Sequence, residues 1–393
     1  MTPGGTARVL RADQQPDWPD PDHLHRVAAT LRSRRALVAQ EEVDALRRRL
    51  AEAAAGRALL LQGGPCAEIF GAPARHETEQ TMAMLGRMAS TLSEGAELPV
   101  VAVGRVAGQY AKPRSRTTEQ RHGTVLPAYR GDAVNGTGFS ARERAADPDR
   151  LLRAYDESAA ALRRLRSMAQ WCYSSHEALL LDYENSLVRT DPDTRRTYAS
   201  SGHMLWIGER TRHPDCAHVE LAARVNNPFG VKVGPSATPD DLLDLITRIN
   251  PERTPGKLTL ITRLGADRIE DVLPALVDKV RLAEVPVLWV CDPMHGNTNV
   301  TETGTKTRSV ADIVAEIRAF VGIHRQLGTH PGGLHLEMTA HAVTECLGGT
   351  EPVRAEDLGK NYTSACDPRL NAGQAADVAS LAAEAWAHGW TRR

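Results

Sequence analysis

A short apolar run of β-type residues, ended by a Gly, Pro or polar cluster and followed by a helix-like stretch, recurs along this chain and constrains its fold more than any other feature. Eight such runs stand at 58–62, 100–104, 203–207, 230–233, 258–262, 287–291, 333–337 and, more weakly, 363–366. Strands that are apolar nearly throughout are covered on both faces, as in a parallel sheet, and amphipathic stretches at 239–249, 269–280 and 310–324 supply crossover helices. Eight units predict a (β/α)8 TIM barrel of the α/β class. The competing architecture is an open doubly wound sheet, disfavoured because no Gly-rich dinucleotide fingerprint follows the first run. Residues 1–393 therefore read as one barrel domain, with 1–57 as an N-terminal extension carrying leading helices at 21–31 and 40–55. The interval 106–202 is too long for one crossover; a loop at 108–140 and helices at 150–171 and 176–189 are expected there.

Composition removes several function classes. Lys and Arg number 48 against 49 Asp and Glu, a net charge of -1, so no basic excess is available for nucleic acid. No apolar run approaches the roughly 18 residues that span a bilayer, and residues 1–22 lack an apolar signal core, so no membrane role and a cytoplasmic location are expected. The six cysteines show no close pairing pattern and read as thiols. Only six of the 48 cations are Lys. Three of these, Lys112, Lys232 and Lys306, fall in the segments below.

In a barrel, catalytic residues stand where strands end, so the polar residue after each run carries most information. These are Cys66, Arg105, Glu209 with Arg210, Lys232, Arg263, His295, Glu337 and Asp367, which closure would gather into one ring. Cys66, His295, Glu337 and Asp367 offer a thiolate, an imidazole and two carboxylates, a mixed set suited to Mn2+, Co2+, Fe2+ or Zn2+ rather than Mg2+. Any one alone is ordinarily structural; four at one barrel mouth are a less ordinary accident. Arg105, Lys112, Arg114, Arg210, Lys232 and Arg263 concentrate positive charge that Glu209 alone cannot balance. A small polyanionic substrate with phosphate and carboxylate groups would balance it, and ion pairs with helix carboxylates are the alternative.

These residues lie in segments that resemble the type II 3-deoxy-D-arabino-heptulosonate 7-phosphate (DAHP) synthases, nearly end to end and in order. The matching runs are LQGGPCAE (61–68), GRVAGQYAKPRS (104–115), LPAYRGD (126–132), SHEAL (175–179) and LWIGERTR (205–212). They continue with GVKVGP (230–235), LTLITR (258–263), CDPMHGNT (291–298), KTR (306–308), THPGGLHLEMT (329–339) and ACDPRLN (365–371). The resemblance implies condensation of phosphoenolpyruvate with erythrose 4-phosphate to DAHP and phosphate, at the entry to the shikimate pathway or in secondary metabolism. It implies a divalent ion, Mn2+ or Co2+, on Cys66, His295, Glu337 and Asp367. It implies a phosphoenolpyruvate site of Arg105, Lys112, Glu209, Arg210, Lys232 and Arg263, with Arg114 and Ser115 for the aldose phosphate. Lys112 is the candidate proton donor to the nascent alkoxide, Glu209 the residue orienting the attacking water, and Lys232 the third catalytic candidate. A homodimer is expected.

Departures from the family pattern border this site: Pro65 replaces a usual Asp, Ile69 a small polar residue, Asn226 an Arg, and Ala340, His341 and Ala342 a Gly-Gln-Asn run. The short 150–175 stretch resembles the compact branch, in which inhibition by Trp or Phe is weak or absent. The resemblance also leaves open an amino-DAHP synthase using an imino form of erythrose 4-phosphate. Two other classes compete: a Schiff-base aldolase using Lys232, and an inactive relative retained as a binding protein.

Overall fold

The structure, a computed structural model, describes residues 10–168 and 172–387, and the side chains of 72–75 fall outside that description. The repeating runs form eight parallel strands that close on themselves. In chain order they are β1 Leu59–Gly64, β2 Val100–Arg105, β3 Tyr173–Glu177, β4 Met204–Ile207, β5 Phe229–Val233, β6 Leu258–Thr262, β7 Leu288–Cys291 and β8 Gly333–Glu337. Each pairs with its chain neighbours, and β1 closes the barrel on β8 with Leu60 opposite Gly333 and Gly64 opposite Glu337. That register brings Glu337 level with the end of β1, two residues before Cys66.

The covering helices begin where their sequences say they should. Thr238 caps the helix Pro239–Ile249 by accepting the Asp241 N–H at 3.2 Å, with Pro in the first turn where no amide is needed. Its Leu242, Leu245, Ile246 and Ile249 are all buried against the barrel wall. The leading helix Gln40–Ala54 turns Leu46, Leu50 and Ala53 into the cluster formed by the inward residues Leu60, Val103, Met204, Trp206, Ile261 and Val290. It therefore plugs one end of the barrel. Each of its fully buried leucines contributes about 1.5–3 kcal/mol relative to exposure.

Two of the expected elements are corrected. The run 363–366 is not a strand: it lies in the connection between β8 and the last helix, Ala372–Ala387. The eighth strand is instead β3, whose Tyr-Ser-Ser-His-Glu sequence carries no apolar signature. All five residues are buried, and neighbouring segments take up the polar atoms of Ser174 and Ser175. Gln62 Nε2 donates to Ser175 Oγ at 2.8 Å, Ser175 Oγ donates to Gly104 O at 2.9 Å, and Ser174 N donates to His203 Nδ1 at 3.0 Å. The expected helix at 176–189 is accordingly a strand end, a short helix Leu181–Ser186, and a strand Val188–Thr190. The helix expected at 150–171 is present as Asp149–Ser167, and the loop at 108–140 carries a hairpin of Thr118–Arg121 with Thr124–Pro127. No helix among the described residues is long and apolar enough to cross a membrane.

Candidate active site

The connection after β8 comes back to the end of that strand, where Leu370 forms a parallel bridge with Met338 and donates its N–H to Glu337 O at 3.0 Å. This return swings Asp367 to the barrel mouth, although no strand precedes it. Glu345 holds the return in place by accepting N–H groups from Thr363 (3.0 Å), Ser364 (2.8 Å) and Arg369 (2.8 Å). As a result Cys66, Glu337 and Asp367 each place a donor atom within 4.8 Å of the other two. The Asp367 N–H also points at Cys66 Sγ, at 3.3 Å.

His295 joins them from the loop after β7, its Nε2 3.3 Å from Glu337 Oε1. Its Nδ1 lies 2.7 Å from Asp292 Oδ2, and the Met294 and His295 N–H groups, at 3.1 and 3.3 Å, point at the other oxygen of this buried carboxylate. A carboxylate on Nδ1 fixes the tautomer and leaves Nε2 free to face a ligand. Thiol, imidazole and two carboxylates fit a borderline divalent ion. A positive charge already stands there: Lys112 Nζ is 3.2 Å from Glu337 Oε1 and 3.4 Å from Asp367 Oδ2.

The charges around this corner are strongly coupled. Burial disfavours the ionised form of Glu337, but His295, Lys112, Arg308 and Arg105 outweigh it and hold the carboxyl well below its usual range. Arg105 Nη2 and Arg308 Nη1 each reach it at 2.9 Å. Cys66 moves the other way: burial, its contact with Cys366 and the Glu337 charge push the thiol well up. Its thiolate therefore needs a cation beside it.

A pocket opens next to these residues, with His295 and Asp367 in its wall. Five cations line it, Arg105, Lys112, Arg210, Lys232 and Arg263, with Glu209 among them. Lys232 pairs with Asp292, yet burial outweighs that partner and lowers its ammonium to about 8. Arg263 donates to His295 O at 3.2 Å, and Arg210 stands exposed at the rim. Burial also opposes the charge on Glu209, but Arg212 at 2.7 Å and the Gly234 N–H at 2.6 Å keep it ionised. The whole set predicted for phosphoenolpyruvate thus lines one cavity beside the predicted metal corner.

The model of the class-II DAHP synthetase family matches residues 4–171 and 169–383 of this chain. The chain belongs to that family. It is 44% identical over 434 aligned positions to a phospho-2-dehydro-3-deoxyheptonate aldolase of Streptomyces coelicolor, covering 97% of this chain and 96% of the relative. To the aldolase AroG of Mycolicibacterium smegmatis it is 39% identical over 437 positions, covering 96% and 93%. A solved phospho-2-dehydro-3-deoxyheptonate aldolase from Francisella tularensis superimposes over 93% of this chain and 97% of its own, at 14% identity and a TM-score of 0.49.

Within this class-II DAHP synthetase the two residues expected at the aldose phosphate lie apart from the cavity wall. Arg114 Nη2 is 3.2 Å from Glu119 Oε1 in the hairpin, and Ser115 is exposed. Pro65, a departure from the family pattern, keeps a contact through its backbone: its carbonyl accepts Arg105 Nε at 3.2 Å. Asn226, another departure, bonds Asp44 at 3.1 Å, on the leading helix.

Sequence reasoning passed over four residues that shape this site. Asp292 had a signal, an acid three positions before a ligand His at a strand end. Glu177 lines the cavity with a carboxyl raised by burial, and was hidden inside a strand read as helix. Trp206 lies beneath Arg105, whose guanidinium carbon stands 5.1 Å from its ring centroid. Glu68 accepts the N–H groups of Ala107, Gly108 and Gln109 at 3.1, 3.0 and 2.9 Å, tying the Cys66 loop to the segment that carries Lys112. No pattern in the sequence around Glu68 points to this role; only the fold brings three amides onto its carboxylate.

Proposed function

We propose that this chain condenses phosphoenolpyruvate with erythrose 4-phosphate to give DAHP and inorganic phosphate, using Mn2+ or Co2+ on Cys66, His295, Glu337 and Asp367. The observation that carries the reading is the meeting of the Cys66–Glu337–Asp367 corner, with His295 Nε2 3.3 Å from Glu337, and a five-cation cavity at one barrel mouth. An ion held at that corner supplies Lewis-acid polarisation of the aldehyde. Phosphoenolpyruvate, with carboxylate and phosphate, is matched by Arg105, Lys112, Arg210, Lys232 and Arg263, which fix it with C3 toward the aldehyde.

As C3 attacks, the aldehyde oxygen becomes an alkoxide, and Lys112, at the same carboxylates as the ion, is placed to protonate it. Positive character at C2 draws a water, and Glu209, anchored by Arg212 and Gly234, orients that water for attack. Loss of phosphate from C2 completes the product. Lys232, whose ammonium Asp292 favours against burial, clamps an anionic group of the substrate. Arg114 and Ser115, on the segment just beyond Lys112, serve the aldose phosphate in this reading. The enzyme works in the cytoplasm as a homodimer, an assembly that sedimentation velocity would check.

Chelator treatment followed by addition of Mn2+ or Co2+ tests the metal: activity should vanish and return. Borohydride treatment with phosphoenolpyruvate and erythrose 4-phosphate tests covalent chemistry. A trapped adduct on Lys232 would replace this mechanism with a Schiff-base one.

A further inference from the structure

One buried carboxylate outside the cavity spans the two loops that carry the clamp Arg263 and the ligand His295. Glu316 belongs to the helix Val310–Gln326 and is fully buried among Ile313, Ile317 and Phe320. A carboxylate in such a place is costly unless its oxygens are hydrogen-bonded. Its Oε1 accepts the N–H groups of Leu264 and Gly265, each at 3.0 Å, and its Oε2 accepts Asn297 Nδ2 at 2.7 Å. Asn297 extends the clasp by donating to Pro293 O at 2.8 Å and accepting the Ala266 N–H at 2.9 Å.

Leu264 directly follows Arg263, and Asn297 lies two residues past His295. The loops touch as bare backbone: a Cβ on Gly296 would stand 2.2 Å from Gly265 N, and Gly265 itself has φ +90°. Only Gly fits both positions. The Arg263 contact to His295 O, at 3.2 Å, crosses the same seam.

We propose that Glu316 is a positioning residue that keeps the Arg263 clamp and the His295 ligand in register. This rests on reading the cavity as the metal and phosphoenolpyruvate site. Removing the carboxylate orphans two buried amides and unties the loops from each other, so metal and phosphoenolpyruvate binding weaken together. Erythrose 4-phosphate binding, assigned to another segment, is spared.

The test compares Glu316→Ala, Glu316→Gln and Asn297→Ala with the parent chain. Mn2+ affinity is read from the free-ion spin-resonance signal, phosphoenolpyruvate affinity by equilibrium dialysis, and both Michaelis constants by assay. For Glu316→Ala, losses of roughly tenfold to a hundredfold in Mn2+ affinity and about as much for phosphoenolpyruvate are expected, as for other residues that orient a ligand His. Measured at saturating Mn2+, the Michaelis constant for erythrose 4-phosphate should stay unchanged. Glu316→Gln keeps the acceptor for both amides but sets an NH2 against Asn297 Nδ2, so Glu316→Gln and Asn297→Ala should each lose less than Glu316→Ala. Parent-like Mn2+ and phosphoenolpyruvate binding in Glu316→Ala overturns the proposal, as does an equal loss in every constant with no rescue by Gln. Should Glu316→Ala fail to fold, Asn297→Ala decides: weaker Mn2+ binding supports the proposal and parent-like binding overturns it. Because both affinities are measured without turnover, a parent chain that lacks condensation activity would sink the proposed function and leave this comparison readable.

Discussion

Lys112 Nζ stands 3.2 Å from Glu337 Oε1, so an ammonium shares a buried carboxylate with the corner assigned to a divalent ion. Burial works against that charge, but Cys66, Glu337 and Asp367 hold it well above the usual lysine range. In the proposed mechanism an ion at this corner would compete with the ammonium for the same negative charge, and each has its own part. Lys112→Met should therefore bind Mn2+ at least as tightly as the parent while losing turnover by roughly a hundredfold, the scale of a general acid. Mn2+ titration beside a kcat measurement checks this. Weaker metal binding in the variant would show that Lys112 supports the metal corner instead of competing with it.

The ligand set makes a sharper claim about Asp292. Cys66→Ser and His295→Ala should each abolish turnover with loss of bound metal, since a hydroxyl is a poor substitute for thiolate on a borderline ion. Asp292→Asn leaves the ligands intact but releases His295 Nδ1, and should cost about tenfold to a hundredfold in metal affinity. Metal content of the purified variants is the readout. Full occupancy in any of the three would remove that residue from the arrangement.

Arg263→Ala and Arg210→Ala leave anionic groups of phosphoenolpyruvate unpaired, at about 1.5–3 kcal/mol, or roughly tenfold to a hundredfold in affinity. Arg114→Ala should instead raise mainly the Michaelis constant for erythrose 4-phosphate. Steady-state constants for both substrates separate these effects, and equal effects on both from all three variants would contradict the division of the clamps.

Lys232 should give the reaction an alkaline limb. Burial lowers its ammonium to about 8 against the Asp292 charge, so the cation is present below that pH and lost above it. A clamp that needs the cation loses phosphoenolpyruvate as pH rises through about 8, and kcat/KM, which reports the free enzyme, should fall there. In Lys232→Arg that limb should disappear, because the guanidinium stays charged. A limb at the same pH in the variant would assign it to another group.

What the sequence made legible follows from how each part is held together. Seven barrel strands announce themselves because Val, Ile and Leu cover both faces. The eighth, Tyr173–Glu177, is buried with its serines hydrogen-bonded to Gln62, Gly104 and His203, a kind of burial with no hydropathy pattern. Asp367 stands beside Cys66 and Glu337 without the strand the sequence predicts for 363–366: the return of the chain to the end of β8 puts it there. The proposed ligands and clamps could be grouped from sequence because strand ends converge in a barrel. Glu316 and Glu68 were not, since their roles lie in backbone amides from distant loops, and amides leave no mark on composition.

The central claim is the condensation itself. Purified chain loaded with Mn2+ should release one phosphate for each phosphoenolpyruvate consumed, only when erythrose 4-phosphate is present, and yield a product with the mass of DAHP. Mass spectrometry of that reaction beside a phosphate assay is the most direct measurement. Phosphate release that ignores erythrose 4-phosphate, or no product of that mass from metal-loaded protein, would contradict the account.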